Sequence, residues 1–134
     1  MECKEKCIIL VYTSLLFGIT VIHAAFKQNI GLVILMTGLM GFSLINHGKR
    51  FDEFKGKQTV RLLDIAFAHL VVTFVLYLNF YKSKYSWITW LTYFCISYVG
   101  LVYLLYIRDN PNIQPYLHAT MHIAGILGSN LVLI

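Results

Sequence analysis

The last stretch of the chain, from Pro115 to Ile134, is largely apolar and carries His118 and His122, four residues apart. On a helix such residues stand one above the other on the same face. Two imidazoles one turn apart can grip one metal ion. Pro115 suits the first position of this helix, where its missing N–H would have no intrahelical partner. A further imidazole, His47, ends an earlier apolar run, with Ser43 one turn before it on the same face. Three neutral imidazoles and one water complete the open tetrahedral coordination of a catalytic zinc, with Zn–N about 2.0–2.1 Å. Asp64, the one acid inside an apolar run, is the group able to hold that water or to orient a ligand from outside the metal's own shell.

The elements that must position these residues are membrane helices. The chain has 134 residues, one domain at most. Hydrophobic residues make up 58% and charged residues 13%, too few charges to solvate a globule of this composition. A net charge of +5 raises nucleic acid as a partner. The basic residues, however, sit in short loops between apolar runs, which fits membrane topology and not nucleic-acid binding. A hydrocarbon core takes about 20 apolar residues as a helix. The expectation is therefore an all-α, polytopic transmembrane helical bundle, an integral multi-pass protein. Its spans, about five, fall at 7–25, 30–46, 60–81, 86–107 and 115–134.

Local signals support those limits. Lys27-Gln28-Asn29 closes the first span, and Gly31, Gly38 and Gly41 let another helix approach the second closely. Tyr85, Trp87 and Trp90 form an interfacial belt at the start of the fourth. The charged front Lys4-Glu5-Lys6 resembles a signal peptide. The run behind it is too long and lacks a small-x-small cleavage site, so a retained span is expected. Cys3, Cys7 and Cys95 show no zinc-like pairing and imply no disulfide framework. Cys3 and Cys7 flank the start of the first span, where palmitoylation is one fate and a free thiol the plainer one.

Lys4, Lys6, Lys49, Arg50, Lys55, Lys57, Arg61 and Arg108 fall on the side of the N-terminus, against Lys27, Lys82 and Lys84 on the other. By the positive-inside rule the N-terminus is cytoplasmic. His47, Asp64, His69, His118 and His122 then lie in the cytoplasmic half of the bilayer, and His23 at the opposite end. Plainer readings accompany each site residue. Asp64 has a possible salt bridge with Arg61, three residues earlier, and His69 suits packing. His118 and His122 alone would serve as interfacial histidines bonded to loop carbonyls.

Ser43-x-x-x-His47 at the end of an early span, Asp64 in the next and His118-x-x-x-His122 opening the last resemble the CREST superfamily. That group holds alkaline ceramidases, adiponectin-receptor-like proteins and relatives that remodel lipid anchors. The tract from His118 through Gly125 and Gly128 is especially similar to the ceramidases' final span. The resemblance implies His47, His118 and His122 as zinc ligands, Ser43 as a polar or oxyanion contact and Asp64 as the acid/base. It implies a membrane lipid as substrate and a zinc-dependent hydrolysis of a lipid amide or ester. The family typically has seven spans, so a shortened bundle is expected here, with a homodimer as one way to close the pocket. The acidic N-terminal cluster that binds calcium in ceramidases is absent, which leaves ceramide as one candidate among several lipids.

Two other classes stay open on the residues alone. Zinc can instead pin the second and fifth spans together in a non-catalytic scaffold or receptor-like protein. Paired membrane histidines also ligate haem, but an i, i+4 pair cannot clamp one iron from both faces.

Overall fold

The computed structural model of the chain describes residues 2–48, 56–82, 86–108 and 114–134, with side chains described for 8–48, 56–82, 86–105 and 114–134. The side chains of Cys3, Lys4, Lys6, Cys7 and Arg108, the loop residues Lys49, Arg50, Lys55, Lys84 and Tyr85, and the turn 109–113 lie outside the described residues. All the regular elements described are α-helices: α1 Glu2–Leu15, α2 Phe17–Phe26, α3 Ile30–His47, α4 Lys57–Lys82, α5 Trp87–Arg108 and α6 Gln114–Leu131. Among the described residues four stretches are long and apolar enough to cross a membrane, namely Ile8–Phe26 through α1 and α2, Ile30–His47, Lys57–Lys82 and Trp87–Leu105. The expected fifth span is indeed a helix, α6, but it falls short of the others in apolarity.

The helices follow from local chemistry. In α1, the hydroxyls of Thr13 and Ser14 both donate to the carbonyl of Leu10, at 3.1 and 2.7 Å. Such back-bonding bends membrane helices. The first apolar stretch breaks at Leu16, where Ile19 N–H closes a short turn onto Leu16 C=O. After α2, Gln28 takes a positive φ of 55°. Gln28 N–H then bonds Ala25 C=O and Asn29 N–H bonds Ala24 C=O, the paired bonds of a Schellman C-cap. Asn29 caps the next helix in turn, its Oδ1 accepting from Leu32 N–H at 3.0 Å. Lys27-Gln28-Asn29 therefore both ends α2 and starts α3.

Packing is set by stripes. α3 buries Leu32, Met36, Leu39 and Ser43 at helical spacing. α4 buries Val60, Asp64, Val71, Val75 and Asn79 on one face. α3 lies against α4 and against the α1–α2 pair, while α6, last in the chain, slots between that pair and α5. The distribution suits a bundle surrounded by lipid. Tyr12, Ile19, Phe26, Ile34, Leu62, Phe80, Phe94 and Leu104 are exposed, whereas Thr13, Ser14, Thr20, Ser43, Asp64, Asn79, Thr92, His122 and Ser129 are buried. Polar groups in hydrocarbon face protein partners. This also explains how α6 can pack here while falling short of the four apolar stretches. His122 bonds Thr13, Thr120 meets Tyr98, and Asn130 meets both Thr20 and His23, so these polar side chains find partners inside the bundle.

Gly38 shows the close approach most directly. A Cβ there would run into the Phe67 ring of α4, whereas one at Gly41 would meet open space. Gly38→Ala is expected to lower the melting temperature of the purified protein in micelles, at about 1–3 kcal/mol for overpacking. Gly41→Ala should leave it unchanged or slightly raised, since Ala is the better helix former. Equal melting temperatures for the two variants would refute a tight α3–α4 contact at this point.

Candidate metal centre

The helix ends bring the histidines together. His47 is the last residue of α3, and His118 and His122 fall in the second and third turns of α6. One nitrogen from each ring lies within 4.8 Å of the other two. The His118 ring centre is 4.9 Å from that of His47 and 4.6 Å from that of His122. Three nitrogens bound tetrahedrally to one zinc would stand ~3.3 Å apart, so small side-chain rotations close the difference. His47 Nε2 is buried and has no hydrogen-bond partner. A buried nitrogen left unpaired costs about 1–3 kcal/mol, and it is the kind of group that a metal ion satisfies. The donor set, three imidazoles without thiolate, suits zinc among other first-row ions. The residues fit the metal.

Asp64 reaches the same place from α4. Its Oδ2 accepts from Asn46 Nδ2 at 2.7 Å and lies 4.0 Å from His47 Nε2. That separation is too long for a direct hydrogen bond and leaves room between carboxylate and imidazole. Among the described residues no Asp64–Arg61 ion pair forms; Asn46 and His47 are what the carboxylate meets. Ser43 is fully buried one turn above His47 and bonds Ser14 Oγ at 2.8 Å. Ser14 has already given its one hydrogen to Leu10 C=O, so Ser43 donates to Ser14 and keeps its lone pairs free. The buried Phe17 ring, centred 5.0 Å from that of His122, packs against the site.

The remaining histidines stand apart, as their positions in the sequence suggested. His69 donates from Nδ1 to Ile65 C=O in its own helix and packs edge-on to Tyr103. His23 donates from Nδ1 to Asn130 Oδ1 at the other end of the bundle. No protein-family model, curated protein or solved structure matches this chain. The centre is therefore described by its own geometry. Sequence reasoning did not find Thr13, Ser14, Asn46 or Phe17. The signal available for two of them was the adjacent hydroxyl pair Thr13-Ser14 within an apolar run.

Proposed function

We propose that the chain is a zinc-dependent intramembrane hydrolase of a lipid amide or ester, a shortened relative of the CREST-type metallohydrolases. The observation that carries this reading is the convergence of His47, His118 and His122 around an unpaired His47 Nε2, with the Asp64 carboxylate 4.0 Å from that nitrogen. When bound, zinc supplies a Lewis acid for the scissile carbonyl and lowers the pKa of a water toward about 7. Asp64 takes a proton from the attacking water and returns it to the leaving amine or alkoxide. Asn46, donating to Oδ2, holds the carboxylate in place while it does so. Ser43 offers lone pairs to a water directly. To serve as an oxyanion donor its hydroxyl must first turn away from Ser14. The test is hydrolysis of a panel of lipid amides and esters by zinc-loaded protein, and failure on the whole panel overturns the reading.

The same reading takes α6 as a fifth crossing and the N-terminus as cytoplasmic, with the metal ligands near the cytoplasmic face. Lys57 and Arg61 begin α4 at that end, while Lys27 and Lys82 stand at the other, which supports the orientation. Reporter tags at the two termini are expected to report opposite compartments, and tags on the same side would sink the five-span count. One observation favours a second reading. The His47 and Asp64 side chains are only 11% and 9% exposed, a degree of closure that suits zinc used to pin α3 to α6 in a non-catalytic scaffold.

A further inference from the structure

We infer that Thr13 is the positioning residue for His122, fixing the imidazole in the tautomer that carries its hydrogen on Nδ1 and leaves the Nε2 lone pair free to bind a metal. The inference builds on the metal-centre reading but concerns a helix that supplies none of its ligands. Thr13 Oγ1 lies 2.9 Å from His122 Nδ1 and 3.1 Å from Leu10 C=O. A threonine hydroxyl has one hydrogen to give, and a carbonyl can only accept. The hydrogen goes to Leu10, so the Thr13 oxygen accepts from His122 and the proton on that ring sits on Nδ1. The reverse assignment would leave the Leu10 contact with no hydrogen in it.

The anchor itself is held. Leu10 C=O also accepts from Ser14 at 2.7 Å, inside the turn where the first crossing bends. Thr13 and His122 are both buried, and the Phe17 ring packs against the imidazole, so this contact takes the place water would otherwise fill. Metal-binding histidines commonly hold their second nitrogen in this way, and losing the outer partner costs 10–100-fold in metal affinity or activity. The bend in α1 acquires a purpose on this view. It aims one hydroxyl at α6 and the next, through Ser14, at Ser43 of α3.

The experiment uses the full chain in micelles with 15N-labelled histidine, prepared without metal, and then titrated with zinc alone. Wild-type protein should show His122, assigned by its loss in His122→Ala, with Nδ1 protonated and Nε2 bare. Thr13→Val, nearly the same shape without the hydroxyl, should lose that single tautomer and bind zinc 10–100-fold more weakly. Thr13→Ser should restore both. Hydrogen found on Nε2 of wild-type His122 overturns the inference even if Thr13→Val fails to fold. So does a Thr13→Val protein with unchanged tautomer and unchanged zinc affinity. Wild-type protein that takes up no zinc, yet keeps a Thr13-dependent tautomer, upholds the positioning role and counts against the metal reading instead.

Discussion

Metal analysis of the purified protein should return about one zinc per chain, and His47→Ala, His118→Ala and His122→Ala should each lose most of it. The three rings supply nitrogens within 4.8 Å of one another, and the described part of the chain brings no other group of three or more such ligands together. Taking away one imidazole leaves two protein ligands, fewer than either a structural or a catalytic zinc site uses. The loss should therefore be near complete at micromolar metal. His23→Ala and His69→Ala are the matched controls. His23 is tied to Asn130 at the far end, and His69 to its own helix and Tyr103, so both variants should retain full occupancy. Retention of zinc in His47→Ala together with its loss in His69→Ala would mean that the ligand set is wrong. The His47 arm carries the most weight, because His47 alone comes from α3 and joins the two halves of the centre.

The parts of this centre visible in the sequence are those where a local rule is broken at a cost. A carboxylate in a membrane helix is expensive, so Asp64 stood out in its run, and the structure buries it against Asn46. His118 and His122 shared a face by helical periodicity, which needs no tertiary information. The all-helical character was legible for the same reason, and four of the expected apolar runs are long and apolar enough to cross a membrane. Hydroxyl groups send no such signal. Thr13 and Ser14 satisfy themselves on Leu10 C=O within their own helix, so nothing in the run marks them as functional. Their second contacts depend on how helices distant in sequence come together, with 109 residues separating Thr13 from His122. The apolarity of α6 misleads for a related reason. Taken alone its polar residues count against a buried helix, while His122, Thr120 and Asn130 find their partners on α1, α2 and α5.

The enzyme and the zinc-pinned scaffold part company at Asp64. The carboxylate touches Asn46 and stands 4.0 Å from His47 Nε2, beside the ligand set but outside it. Asp64→Asn, which keeps the shape and can still meet Asn46, should preserve substantial zinc and the fold. If Asp64 moves the proton, that variant should lose hydrolysis by about 10²–10⁴-fold, the usual worth of a positioned general acid or base. A scaffold predicts otherwise. There the substitution should only shift the melting temperature, with no lipid amide or ester consumed by any form of the protein. Arg61→Gln supplies the remaining control, since Arg61 is exposed on α4 and makes no ion pair with Asp64. It should leave hydrolysis near wild type, and zinc binding should not fall, since the charge removed acts on His118 and opposes a cation there. Were Arg61→Gln to reproduce the stability loss of Asp64→Asn while neither altered turnover, the acid would be a structural partner. Zinc-loaded wild type that is inert on every lipid tested would then leave the pin between α3 and α6 as the function of the metal.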